Sequence, residues 1–386
     1  MSGFTETEER AELRKQVAKL ASKYGRDYFA AKARAGEKTT DLWLEIGRNG
    51  YLGINIPEEY GGGGGGIGDI AAVCEELAAQ GCPLLLMVVS PAICGTIISR
   101  YGTEEQKQRW LPGICDGTST MAFAITEPDA GTNTHNITTT ARRDGDGWVL
   151  NGRKIWISGV DEADNVLVVA RTEDAKTGKI KPVLLVVPTD AEGFEANAIP
   201  MEIVSPENQF QVFIDDVRLP ADALVGDENG GLVQLFAGLN PERIMAASFS
   251  LGLARYALDR ASAYAKERAV FGVPIGAHQA IAHPLAQSHI EIEMARLMTQ
   301  KAAALYDAGD EMAAGEAANM AKYAAAEAAC DAVDRAVQTH GGNGASQEYG
   351  MAGLLVATRV GRIAPVSREM ILNFVAMHSL GLPKSY

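Results

Sequence analysis

The 386-residue sequence is short of the features that mark several protein classes. Its five cysteines, Cys74, Cys82, Cys94, Cys115 and Cys330, are odd in number, widely spaced and free of any C-x-x-C pair. That usage argues against a disulfide framework and for reduced, buried thiols. No run approaches the ~18 apolar residues of a membrane span. The N-terminal stretch has no apolar signal core and carries acidic residues that a transit peptide avoids, so a cytoplasmic location is expected. Basic residues are outnumbered, giving a formal net charge of -14. Such a chain is a poor binder of nucleic acid, where clustered Lys and Arg must displace counterions. There is no G-x-S-x-G elbow. His278, His283 and His289 lie close in sequence but form no H-E-x-x-H and have no cysteine partner, so no metal is expected.

What is present is enough for two or three domains, since single cores rarely pass ~250–300 residues. Apolar residues make up 47% of the chain and charged residues 22%, as in a globular protein with a sizeable core. Residues 1–120 read as a helical domain. Its first helix has a threonine cap at Thr5 or Thr7, early glutamates and later basic residues. Further helices are expected over about Gly68–Gln80 and Leu84–Tyr101. From Met121 the period changes to short runs rich in Val, Ile and Thr, divided by Asp144-Gly145, Asp146-Gly147 and Asn151-Gly152. Residues 121–228 are therefore expected to form an antiparallel β domain of hairpins. Residues 229–386 return to helix. Ile244, Ala247, Leu251, Ala254, Leu258, Ala261 and Ala265 keep a bundle-like period, and Glu311–Gln338 is a second long helix. The class is α+β multidomain, with a C-terminal four-helix bundle and no internal repeat.

The hexaglycine Gly61–Gly66 satisfies G-x-G-x-x-G trivially, but no strand precedes it and no βαβ series follows. It reads as a mobile loop. Four other segments carry more chemistry. In Phe123–Thr132 a strand ends at a proline turn, then small residues that let backbone N–H groups approach an anion. In Lys154–Ser158, alternation puts Trp156 and Ser158 on one face and Ile157 on the other. An aromatic beside a hydroxyl suits a flat ring with polar edges; core packing explains the same residues taken alone. Arg268, in Glu267–Gly272, sits at a helix end where a guanidinium can grip a pyrophosphate; His278–Ile281 follows. Gln338–Gly344 holds more glycine than a helix cap requires.

Together and in this order, the four segments resemble the acyl-CoA dehydrogenase family over nearly the whole chain. The resemblance implies FAD as cofactor. Phe123, Ile125, Thr126, Gly131 and Thr132 are similar to its flavin loop, which usually ends Gly-Ser. Trp156, Ile157 and Ser158 resemble the strand beside the isoalloxazine, with the hydroxyl facing N5. Arg268, Phe271 and Gln279 resemble the stretch that contacts the FAD of the neighbouring subunit. Gln338, Gly341 and Gly342 resemble the turn on its adenosine side. The family further implies α,β-dehydrogenation of an acyl-CoA, a tetramer built as a dimer of dimers, and electron-transferring flavoprotein as oxidant. Thr132, Asn240, Arg243 and Ala364 are the implied substrate contacts. An oxidase or flavin monooxygenase on the same fold, or a weakly catalytic binding protein, are the competing readings.

Many family members carry the base, a glutamate, in a C-terminal E-G-T loop. Here the matching stretch, Arg362–Arg368, has no carboxylate. Counting forward from Gly344 puts Pro365 at that place, and counting back from Ser367 puts Ala364 there. The family uses this residue's N–H to polarise the thioester oxygen. Proline has none, which favours Ala364. The isovaleryl and long-chain types instead place a glutamate before an arginine at the start of a long helix. Gly238–Ile244 matches, with Glu242 as base and Arg243 near the CoA end. Pro241 suits a first helical turn, and there the helix dipole alone would favour a glutamate.

Overall fold

Thr7 opens the first helix, its side-chain oxygen accepting the Arg10 N–H at 3.2 Å and satisfying a donor free at every helix start. The computed structural model describes residues 6–173, 178 and 180–384; the alternative cap, Thr5, lies outside the described residues. Helices α1 (Glu8–Ala21), α2 (Gly25–Ala35), α3 (Thr40–Arg48) and α4 (Ile67–Ala79) follow one another. The apolar stretch expected as one helix is a π-helix over Val88–Gly95 that runs into α5 (Thr96–Tyr101), and α6 (Glu104–Asp116) closes the region. Pro91 inside the π-helix explains the change, since it removes one donor of the α ladder.

The hexaglycine is not the free loop expected from its composition. The N–H groups of Gly63, Gly64 and Gly65 donate to the carbonyls of Gly53, Ile56 and Ile54 at 2.8–3.0 Å. A Cβ on Gly62 would lie 2.0 Å from the Ile56 oxygen. Glycine is needed there for close packing of backbone on backbone.

Strands β1 (Met121–Ala124), β2 (Thr140–Asp144), β3 (Gly147–Ser158), β4 (Asn165–Glu173), β5 (Ile180–Pro188), β6 (Phe194–Ile199) and β7 (Gln209–Leu219) form one sheet in the order β1-β4-β2-β3-β7-β6, with β5 also on β4. Most pairs are antiparallel, as expected, but β1 runs parallel to β4 and β2 touches β4 in parallel. Asn151-Gly152, read as a turn, lies inside the twelve-residue β3, where the pairing with β7 shifts register. The dipeptide serves a bulge as readily as a turn. One face of the sheet forms its own apolar core around Trp148, Leu150, Ile157 and Val212.

The C-terminal region begins with the 37-residue α7 (Gly231–Glu267). A two-stranded ribbon, β8 (Ala269–Val270) and β9 (Val273–Pro274), leads to α8 (Gln279–Asp307) and α9 (Glu311–His340), then the short α10 (Leu355–Val360) and α11 (Arg368–Phe374). All seven stripe residues from Ile244 to Ala265 are buried. Helix α4 of the N-terminal region packs along α7 as well. A Cβ on Gly252 of α7 would sit 2.4 Å from the Glu75 oxygen of α4, so the two backbones touch. N- and C-terminal helices thus share one core. Among the described residues, no helix is long and apolar enough to cross a membrane.

Candidate active site

Lys154 is fully buried in β3, where an unpaired ammonium would be prohibitive. Its Nζ donates to Glu127 at 2.9 Å, to the Ile125 carbonyl at 3.0 Å and to the Val169 carbonyl at 2.7 Å. Burial lowers the ammonium to about 8, against the pull of Glu127. Glu127 is held down at about 2 because Lys154 and the N–H groups of Thr138 and Thr139 outweigh its burial. This ion pair clamps the chain at Ile125–Glu127 onto β3, and the Ile155 N–H donates to the Thr126 carbonyl at 3.0 Å. Sequence reasoning quoted both residues but missed their pairing. A lysine leading directly into the run Ile155–Ile157 of a strand was the available signal.

Beyond the clamp, β3 bulges between Lys154 and Ile157. Trp156 takes a φ of +61°, which bulky L-residues rarely adopt, and half of its surface is exposed. Ile157 points into the sheet core. Ser158 exchanges hydrogen bonds with Gln209 at 3.0–3.1 Å. Phe123 is buried, Ile125 and Thr126 are half-buried, and Gly131 and Thr132 are exposed. Nothing approaches within 4 Å of a Cβ built on Gly131. The bonds from Lys154 and Ile155 hold Ile125 and Thr126 against the strand that carries the accessible indole and the hydroxyl, and the backbone at Gly131 is open. That set fits a flat aromatic ring with a phosphate tail.

Arg268, Phe271, Gln279, Gln338, Gly341 and Gly342 are exposed. The Arg268 side chain makes no hydrogen bond or ion pair among the described residues. Phe271, on the ribbon with φ +53°, is 92% exposed. Nothing lies within 4 Å of a Cβ on Gly341 or Gly342. These groups form an open surface at the far end of α7.

Glu242 lies eleven residues after Gly231, in the interior of α7 and not in a first turn. The helix extends further upstream than Pro241 suggested. A helix dipole fades within the first turn, so it does not account for this glutamate. The side chain is half-buried, and burial raises it to about 7, with Arg243 and Lys322 pulling the other way. Arg243 donates to Asn240 Oδ1 at 3.1 Å, while its buried Nε has no partner. Cys94, on the π-helix, is buried and its thiol is pushed well above the ordinary value by burial and by Glu242. Lys322, buried on α9, donates to the Val366 carbonyl and is lowered to about 8 by burial. That contact puts the Ala364–Val366 loop on the cation facing Glu242. Ala364 is exposed and its N–H already donates to the Val360 carbonyl at 2.9 Å. Use of that N–H on a thioester oxygen requires this bond to be shared or released. Lys322 is a second residue that the sequence reading missed. Among the described residues, no three His, Cys, Asp or Glu side chains are placed to hold a metal.

Residues 7–118, 122–217 and 229–380 match the N-terminal, middle and C-terminal domains of acyl-CoA dehydrogenase. The chain is 64% identical to "Acyl-CoA dehydrogenase FadE12" of Mycobacterium tuberculosis, over 100% of this chain and 99% of that protein. A solved glutaryl-coenzyme A dehydrogenase in complex with glutaryl-CoA superposes with a TM-score of 0.93 at 30% identity, over 99% of this chain and 98% of that one. A glutaryl-CoA dehydrogenase of Mycobacterium smegmatis in complex with FADH2 gives 0.90 at 27%, over 99% and 96%. With its helical, β and helical parts in the same order, this chain belongs to the acyl-CoA dehydrogenase family.

Proposed function

We propose that Glu242 is the general base with which this FAD-dependent enzyme dehydrogenates an acyl-CoA thioester to a 2-enoyl-CoA. The observation that carries the assignment is a half-buried carboxyl on α7 held near neutrality, facing Arg243, Lys322 and Cys94. A base works best when its pKa lies near the working pH. The α proton of a saturated thioester is weakly acidic, so its removal needs such a group in a dry setting. Glu242 takes that proton. FAD, when bound, supplies the acceptor for the β hydrogen and its electron pair. Trp156, Ile157 and Ser158 would flank its ring, and Phe123, Ile125, Thr126, Gly131 and Thr132 its loop side. Thr132, Asn240 and Arg243 would hold the acyl-CoA, and Ala364 its thioester.

The exposed set at the end of α7 supports a shared cofactor site. Arg268, Phe271 and Gln279, with Gln338, Gly341 and Gly342, would close on the FAD of a second copy, within a homotetramer. The reduced enzyme would pass its electrons to electron-transferring flavoprotein. Five free cysteines suit a cytoplasmic setting.

The test is anaerobic mixing of the FAD-loaded protein with saturated acyl-CoA thioesters of graded length between pH 5.5 and 8.5. Flavin bleaching should slow below about pH 7, as Glu242 takes up a proton. A rate that is flat across this range would remove Glu242 from the role. Failure of every thioester to bleach the flavin would refute the substrate class.

A further inference from the structure

Pro241 interrupts α7 one residue before Glu242. A proline inside a helix has no N–H for the carbonyl four residues back. Here that carbonyl belongs to Ala237, which is buried. A buried carbonyl without a donor is costly. Tyr306, buried on α8, supplies the missing bond: its hydroxyl donates to the Ala237 oxygen at 2.7 Å, across 69 residues of chain. The tyrosine is itself held. The Arg100 guanidinium lies 4.5 Å from its ring centroid and pairs with Glu311 at 2.5 Å. Buried Asn240 donates to the Glu311 carbonyl at 3.5 Å and accepts from Arg243 at 3.1 Å. The segment 237–243 is therefore fastened to both sides of the α8–α9 turn, with Glu242 inside it.

We propose that Tyr306 is a positioning residue for Glu242, replacing through its hydroxyl the helix hydrogen bond that Pro241 removes. The inference rests on Glu242 acting as the base. Without the hydroxyl, the Ala237 carbonyl must turn to find another donor. The helix rotates with it, one turn from the carboxylate. A displacement of about 1 Å at a reacting group costs about a hundredfold in rate, so a partial shift should be visible.

The experiment compares Tyr306→Phe in two backgrounds, by the limiting rate of anaerobic flavin reduction with a bleaching acyl-CoA. In the wild-type background, the change should slow reduction by about tenfold or more and alter the half-saturating acyl-CoA by about threefold or less. In a Pro241→Ala background the backbone donor is restored, and the same change should cost about twofold or less. A purely structural tyrosine would lower the melting temperature and leave the limiting rate of the FAD-loaded enzyme unchanged. That result, or an equal loss in both backgrounds, overturns the proposal. Should Tyr306→Phe alone fail to load FAD, the double variant decides: loading with a recovered rate supports the role, and loading without recovery refutes it. Glu242→Gln measured alongside separates the two readings. A slow Glu242→Gln with a fast Tyr306→Phe removes only Tyr306, whereas a fast Glu242→Gln removes the base as well.

Discussion

Helix α7 has two functional ends with opposite surroundings. In its first third, half-buried Glu242 faces Arg243, Lys322 of α9 and Cys94 of the π-helix, and burial raises its carboxyl to about 7. At its last turn the helix runs into Arg268, and then into Phe271 with 92% of its surface exposed. A group finished inside one chain acquires its chemistry from desolvation and fixed neighbours. A group left on the surface acquires it only when another surface arrives, and an exposed aromatic beside a free guanidinium is a usual sign of one. On the proposed reading, the same helix carries a proton-transfer site complete in the monomer and a cofactor contact that a second copy would complete.

The sharpest way to break this comparison is Glu242→Gln. The change keeps the shape and removes the base. FAD should stay bound and reduction by acyl-CoA should slow by about a hundredfold or more, the scale of general-base effects. A variant that reduces its flavin at the wild-type rate would leave the buried end of α7 without a chemical role.

The open end should respond in a different observable. Arg268→Ala removes a charged donor from the proposed shared site. FAD affinity should weaken by about tenfold, the scale of one hydrogen bond to a charged group, read as FAD retained per chain after dilution. Excess FAD should restore occupancy. Unchanged affinity, or a stable FAD-loaded monomer, would show that the surface at Arg268 is not completed by another copy.

The two ends also differ in how legible they were. The exposed motifs stand out in the sequence because their residue types do not serve packing within one chain, and the structure leaves them on the surface. The order of helices, sheet and helices was legible too, since hydrophobic period changes at Met121 and again near Gly230. The buried surroundings of Glu242 were not. Pro241 looked like a helix start because proline is tolerated there, and only the Tyr306 hydroxyl, supplied from α8, makes its interior position tenable. The contact between Lys322 and the Val366 carbonyl joins residues 44 apart and leaves no local trace. The Lys154–Glu127 pair was half-legible, as a charge that a strand buries must find a partner somewhere. The hexaglycine misled in the other direction, because freedom of φ and tolerance of close approach call for the same residue.

The smallest expected effect concerns stability, and it separates an enclosed carboxylate from an exposed one. Glu242 sits at about 7 in the folded chain against an ordinary value of 4.5. Folding therefore favours its protonated form. Below about pH 4.5 both folded and unfolded chains are protonated here, and burial costs nothing through ionisation. As pH rises from there through 7, the unfolded chain ionises first and the folded state loses stability relative to it. Glutamine stays neutral and carries no such penalty. Glu242→Gln should thus be better tolerated at pH 7.5 than at pH 5, by a difference in melting temperature of roughly 1–3 °C. The upper limit is set below the value of about 8 to which burial lowers Lys322, so that its own titration does not enter. The attraction of Arg243 and Lys322 for the ionised carboxylate is already contained in the value of about 7, so its loss near pH 7.5 is part of the expected difference. A Glu242→Gln offset that is flat from pH 5 to 7.5, or larger in its benefit at pH 5, would mean that the carboxyl is solvated in the folded enzyme and is not enclosed at all.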